Sequence, residues 1–193
     1  MCGRYQFTLN SSNTGPRRLF ALIKQAYPDY EIPNGEVVPS QLVPVLVPGD
    51  EKARVALMVW GYPAPGGSGL VINARRETAG EKPMFRDSLR FRRCVIPTTG
   101  YYEWSRDGAQ RQKYYLYQAG TSLQYLAGLY DQFEGQARFV ILTAQANASV
   151  ADIHPRMPLI LRQDQVLTWL NGGEQAGQFL TQALPDLLRE PAA

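Results

Sequence analysis

The sequence predicts an α+β fold, a single domain around a curled, mostly antiparallel β-sheet that is barrel-like, with peripheral helices. Three observations carry this. Many short strand-like stretches recur along the chain, among them 54–60, 114–117, 123–130 and 137–143. Turn signals at Asp107-Gly108, Ala119-Gly120 and Glu134-Gly135 separate consecutive stretches. Helical periodicity is confined to a few short segments between and after the strands. The chain has 193 residues, 45% of them apolar, which suffices for one domain with a substantial core. The span 1–193 is taken as that domain, with the tail from about 185 loosely held.

The elements follow in order. Over 3–9, Tyr5, Phe7 and Leu9 alternate with polar residues as in a strand. Asn13-Thr14 precede a helix of about ten residues with Leu19, Phe20, Ile23 and Tyr27 on one face, and Pro28 lies beyond its end. Pro33-Asn34-Gly35 reads as a turn. The run 42–47 contains Pro44, which predicts an edge or irregular strand, and 54–60 is a cleaner strand. Residues 62–69, rich in Gly and Pro, read as a loop. Leu70-Val71-Ile72 is a short strand that delivers Asn73-Ala74-Arg75, and 84–89 is a short helix. Arg90-Phe91-Arg92-Arg93 is a basic knot with one aromatic. Cys94-Val95-Ile96 is a buried strand broken at Pro97. A short helix over 146–152 delivers His154-Pro155-Arg156, and 159–161 is a last strand. Asp164 is placed to N-cap a helix carrying Val166, Leu167 and Leu170, and a second short helix covers about 174–183.

Composition excludes several function classes. The net charge of +3 does not demand a nucleic-acid partner but allows one through a local patch. Two cysteines, Cys2 and Cys94, form no disulfide framework and point to a reducing, cytoplasmic compartment. No run of about 18 apolar residues and no signal-peptide pattern is present, so no membrane partner is expected. With His154 as the one histidine, no metal site is expected, and no cofactor motif occurs. The glycines of 62–69 lack the lysine and helix of a phosphate loop.

Four polar elements lie where the chain turns off a strand, a usual place for site residues: Cys2, Asn73-Ala74-Arg75, Glu103 and His154. Removal of Met1 would leave Cys2 with an α-amine of pKa about 8 beside a thiol. Such a 1,2-aminothiol condenses with an aldehyde through its amine and closes through sulfur to a thiazolidine. The bland alternative is a solvent-exposed leftover of initiation. Glu103 sits between aromatics in Tyr101-Tyr102-Glu103-Trp104, where a carboxylate has its charged form disfavoured, which suits a group that gives and takes protons. The alternative is a strand glutamate facing water, although Tyr101 and Glu103 share a face by alternation. His154 titrates near physiological pH, or else is a structural histidine bonded to a backbone carbonyl. Arg4, Arg75, Arg156 and the basic knot can bind phosphates, or are solvated surface.

Together these elements resemble the SOS response-associated peptidase family, whose members act as abasic-site DNA–protein crosslinkers. The resemblance runs from Cys2-Gly3-Arg4-Tyr5 to the Trp169-Leu170 helix. It rests also on Pro39-Ser40-Gln41, Trp60-Gly61, Asn73-Ala74-Arg75-Arg76-Glu77-Thr78, Arg93-Cys94-Val95-Ile96-Pro97, Gly100-Tyr101-Tyr102-Glu103-Trp104, Leu142-Thr143, Ala146-Asn147 and His154-Pro155-Arg156-Met157-Pro158. It implies a monomer that binds single-stranded DNA containing abasic sites, in the cytoplasm and on the nucleoid. After Met1 removal the amine of Cys2 would attack the ring-opened sugar aldehyde, and the thiol would close a thiazolidine. By the same resemblance Glu103 and His154 move protons, Asn73 positions the terminus and the sugar, and Arg4, Arg75, Trp104, Thr143 and Arg156 line the DNA site. Many members carry a second tryptophan shortly after the Trp-Gly pair; here 62–69 has none, which leaves Tyr62 as the aromatic for that place. Weak lyase activity is expected, because an imine intermediate can β-eliminate. Two rivals are a Cys2 peptidase or autopeptidase, with His154 as base and Asn73 as orienter, and a non-covalent single-stranded DNA binder.

Overall fold

A computed structural model of the chain describes residues 2–8, 13–105 and 111–193; Met1, Leu9 and the turn expected at Asp107-Gly108 lie outside them. In chain order the first elements are β1 (Tyr5–Phe7), α1 (Thr14–Ala26), β2 (Gly35–Val37), β3 (Leu42–Val47), β4 (Arg54–Trp60), β5 (Tyr62–Pro63), β6 (Leu70–Val71) and β7 (Asn73–Arg75). Then come α2 (Pro83–Phe91), β8 (Arg93–Thr98), β9 (Gly100–Trp104), β10 (Lys113–Tyr117), β11 (Gln124–Phe133) and β12 (Gln136–Gln145). The last are β13 (Arg156–Pro158), β14 (Ile160–Leu161), α3 (Val166–Asn171) and β15 (Leu188–Ala192).

Five strands close on themselves. The ladder runs β12, β4, β3, β8, β11, and β11 pairs back onto β12, so the predicted curled sheet is a barrel. Closure removes the unpaired edges that a sheet of this size would otherwise present. One contact in the ring, β12 with β4, is parallel; the others are antiparallel. A second, open sheet has the order β15-β10-β9-β1-β2 and is antiparallel throughout. The fold class is therefore α+β, with helices at the margins, as the sequence predicts.

The strand alternation places large side chains inside. Trp60 and Phe139 are fully buried and stacked, with centroids 6.2 Å apart, and Tyr5 reaches over from the open sheet to within 5.2 Å of Trp60. Each such ring contributes about 1.5–3 kcal/mol of burial. Trp60 Nε1–H donates to Ile72 O at 3.0 Å, so its polar edge is satisfied. Gly128 lets β11 and β12 approach closely: a Cβ there would stand 2.9 Å from both Val140 O and Cys94 Sγ. On the outside, Trp169 of α3 donates to Cys94 O at 2.9 Å.

Several local expectations change. β3 is an interior strand of the barrel, not an edge. Pro44 is tolerated because β3 pairs with β8 only at Leu46–Val95, and continuing that register sets Pro44 against Pro97, where neither strand offers an N–H. β8 runs unbroken through Pro97 for the same reason. The loop over 62–69 is the tip of a small hairpin, with Tyr62 opposite Val71. Asn73-Ala74-Arg75 is itself a strand, parallel to β12. The segment 146–152 is a string of turns and not a helix, because Asn147 Oδ1 takes the Ser149 N–H and hydroxyl and competes with the helical pattern. Asp164 does not cap α3. It pairs with Arg162, and Gln165 Oε1 accepts the Arg162 N–H at 2.9 Å. In α1, Leu19 and Ile23 are buried but Phe20 is 44% exposed. The segment expected to be loosely held contributes β15, an edge strand on β10.

Candidate functional site

β1 and β9 lie side by side, with Tyr5 opposite Tyr101, and the Tyr102 N–H donates to Arg4 O at 2.8 Å. This lays residues 2–4 along the last residues of β9. Alternation on β9 sends Tyr101 and Glu103 to one face and Tyr102 and Trp104 to the other. The first face is inward: Tyr101 is fully buried and Glu103 is 6% exposed. A glutamate facing water is thereby excluded, as is an exposed terminus, since Cys2 is 1% exposed.

Asn73, at the start of β7, reaches Cys2 from the barrel side. Its Nδ2 donates to Cys2 O at 3.0 Å. Its Oδ1 is buried and has no hydrogen-bond partner among the described residues, and the same holds for Tyr101 Oη. Burial, and then the Glu103 charge, push the Cys2 thiol well above its ordinary pKa, so it stays protonated; its S–H points to Arg4 O at 3.9 Å. Burial and then the nearby Cys2 and Glu103 likewise hold the Tyr101 phenol far above its usual range. Tyr101 thus stays a protonated donor near Cys2. The sequence missed it, and strand alternation with Glu103 was the one signal that could have found it.

β7 links this cluster to a second. Asn73 pairs with Ile141 and Arg75 with Thr143 along β12. Thr143 is fully buried, and so stands behind Arg156 instead of lining a surface: Arg156 Nη2 donates to Thr143 O at 2.6 Å and to its Oγ1 at 3.4 Å. Arg156 also forks onto Glu77, at 2.9 and 2.8 Å, a partner that no sequence pattern singles out. Arg75 is exposed and makes no side-chain ion pair among the described residues. His154, 4% exposed, ends the string of turns just before β13. Its Nδ1 lies 3.0 Å from both the backbone N–H and the carbonyl oxygen of Arg156, accepting from the first or donating to the second according to the tautomer. The backbone-bonded histidine of the bland alternative is therefore present, and the bond fixes the ring.

A third cluster lies on the other face of β9. Arg4 sits over the Trp104 ring at 5.6 Å and pairs with Glu36 at 2.7 Å; Lys113 pairs with the same carboxylate. Neither Glu36 nor Lys113 carried a sequence signal. The basic knot does not join any of these clusters. Arg92 pairs with Asp131, and Arg93 is buried with its donors on the carbonyls of Leu89, Arg90 and Trp169, clamping α2 to α3. Tyr62 is fully buried against Phe133, centroids 4.8 Å apart, so it takes no wedge role. Among the described residues no cluster of three or more His, Cys, Asp or Glu side chains could hold a metal ion, and no helix is long and apolar enough to cross a membrane.

Comparisons with known proteins agree with one another. The family model described as SOS response associated peptidase (SRAP) matches residues 1–191. The abasic site processing protein YoaM of Bacillus subtilis is 33% identical, over 95% of this chain and 85% of its own length. The abasic site processing protein YedK of Escherichia coli is 29% identical, over 93% of this chain and 85% of its own. A crystal structure of a protein from Bordetella bronchiseptica shares the fold, with a TM-score of 0.80 at 20% identity and full coverage of both chains.

Proposed function

Since the chain belongs to the SOS response associated peptidase family, we propose that it processes abasic sites in DNA by covalent capture in single strands. The observation that carries this reading is the Asn73–Cys2 bond, which holds the buried residue after Met1 beside the buried Tyr101 and Glu103. Removal of Met1 frees the α-amine of Cys2. The amine adds to C1′ of the ring-opened sugar and gives a carbinolamine. Loss of water leaves an imine, and the thiol adds across it, sulfur to carbon and proton to nitrogen. One water is released and a thiazolidine links protein to DNA. Water loss needs a proton delivered to the departing hydroxyl, and Glu103 is the carboxyl beside Cys2 that can shuttle it. His154 serves the second proton transfer, at the sugar. Arg75, Arg156 and Arg4 are the phosphate contacts, with Trp104 as an aromatic wall and Thr143 as the support for Arg156.

A thiol-first peptidase is disfavoured, because a buried thiol held in its protonated form is a poor first nucleophile. The test is incubation of the processed protein with a single-stranded oligonucleotide carrying one abasic site, read on a denaturing gel. A denaturation-resistant adduct is expected from the parent protein. Cys2→Ser should give an adduct only after reduction with borohydride, and a chain that retains Met1 should give none. No adduct from the parent sinks the reading, and a stable unreduced adduct from Cys2→Ser sinks ring closure.

A further inference from the structure

The outward face of β9 and β10 carries a row of rings that the capture chemistry does not use. Tyr102 and Tyr115 are opposite one another in the ladder, with centroids 5.3 Å apart, and Tyr115 and Tyr117 are stacked at 5.3 Å. All three are half-exposed. Each is pinned through its hydroxyl: Tyr102 donates to Gln6 Oε1 at 2.9 Å, Tyr115 to Thr99 O at 2.8 Å and Tyr117 to Glu190 Oε1 at 2.6 Å. Tyr115 lies flat over Gly100, where any Cβ would collide with its ring. Residue 100 thus surrenders its side chain to the platform. A depression of about 360 Å³ beside the rings is lined by Gln6, Thr8, Thr99, Tyr102, Tyr115 and Ser122.

The row begins at the site already described. Trp104 ends β9 one residue after Glu103, under the Arg4 guanidinium. Lys113 lies 4.5 Å over Tyr102 and 5.9 Å from the Trp104 centroid, so it bridges Trp104 to the tyrosines. Arg4 and Lys113 share the carboxylate of Glu36, and Lys113 also donates to Ala193 O at 2.7 Å, so two cations cluster at the near end. Glu190 makes the far end negative. Pinned aromatic faces interleaved with cations are what single-stranded nucleic acids bind without sequence preference, and pinning keeps the ordering cost of binding low.

We propose that this sheet face is a stacking track for the nucleotides flanking the lesion, entered at Trp104 and running over Tyr102 and Tyr115 to its end at Tyr117. This rests on the capture reading above. The phosphates of the first nucleotides meet Arg4 and Lys113, and the bases lie on the tyrosine rings, one per ring.

The test uses single-stranded oligonucleotides with one abasic site, extended stepwise by thymidines or by base-less spacers on either side. The half-saturating concentration for adduct formation is the readout. Thymidines on one side should tighten binding by about five-fold or more per stacked base, and base-less spacers should not. The gain should stop once Tyr117 is covered. In the double variant Tyr115→Leu, Tyr117→Leu the long-to-short ratio should fall to that of the spacers, and the corresponding Phe double variant should restore it. Phe91→Leu removes a 64% exposed ring elsewhere and should match the parent. A base-dependent gain on neither side, or one that survives in the Leu variant, overturns the track while leaving capture intact. A parent protein that captures no oligonucleotide overturns both.

Discussion

Replacing Asn73 by Ala tests the positioning of Cys2 most directly. The substitution removes the donor that holds Cys2 O at 3.0 Å, in a residue that is 1% exposed. A buried carbonyl left without its partner costs about 1–3 kcal/mol. Asn73 Oδ1 is buried with no partner among the described residues, so its loss offsets part of this. The lower half of the range, about 1–2 kcal/mol, is therefore expected. At 1.36 kcal/mol per factor of ten, that corresponds to roughly five- to thirtyfold in rate. The melting temperature should fall by about 2–8 °C for a chain of this size. Asn73→Asp keeps the shape but sets a carboxylate oxygen against the carbonyl, and should cost more than Ala. Single-turnover adduct formation at varied oligonucleotide concentration separates two possibilities. A residue that positions the nucleophile lowers the rate constant at saturation; a residue that binds DNA raises the half-saturating concentration. A parental rate constant at saturation in Asn73→Ala, whatever happens to affinity, would refute the positioning role.

Two further outcomes follow from the charges. Glu77→Gln releases Arg156, whose fork onto Glu77 holds that carboxyl below its usual pKa range. Glu77 is 43% exposed at its side chain, so the stability cost is small, and affinity for single-stranded DNA should rise about two- to fivefold at low salt, with a steeper salt slope; weaker binding in Glu77→Gln contradicts a phosphate role for Arg156. The second concerns the thiols. Burial raises both Cys2 and Cys94 in the folded chain, whereas unfolded thiols ionise near pH 8.5. A raised folded pKa gives stability that is full below the unfolded value and is lost as pH climbs above it. Melting temperatures should therefore drop between about pH 8 and 10, less so in Cys94→Ala, and a thiol reagent at pH 7 should label the folded protein far more slowly than the denatured one. Equal labelling rates would contradict the burial of both side chains.

The sequence made the barrel strands legible because β4, β11 and β12 are apolar runs of strand length, with turn signals between the later ones. What it hid was closure: nothing in the apolar runs of β11 and β12 says that their ladder completes a ring through β4, β3 and β8. Proline misled in β3 and β8, since Pro44 and Pro97 each look like a breaker alone and are tolerated only because they face each other. The turns at 146–153 defeated propensity through one side chain, Asn147. In the site, Cys2, Asn73, Glu103 and His154 were readable because each stands beside a turn or an abrupt change of pattern. Arg156 and Arg4 were readable as charges but not as members of ion pairs, because Glu77 and Glu36 come from distant segments with ordinary surface sequences. Alternation puts Tyr101 on the face of Glu103, but only the register against β1 shows that this face is the one turned to Cys2.

In the proposed capture, the burial of Cys2 bears on the order in which its amine and thiol would act. Burial and then the Glu103 charge both oppose a thiolate, which disfavours sulfur as the first nucleophile. An amine has no such handicap, since its reactive form is the neutral one and burial favours that form. Once the amine has condensed with the aldehyde, the balance at sulfur reverses. A protonated imine places a positive charge two bonds from the Cys2 side chain, which offsets the Glu103 charge and favours the thiolate where it is needed. The Tyr101 hydroxyl, held protonated by its burial, can donate to the departing oxygen as the carbinolamine collapses, and to sulfur afterwards. On the proposed capture reading, the environment that suppresses Cys2 as a free thiol therefore favours its reaction with an aldehyde, since the imine formed there brings its own cation.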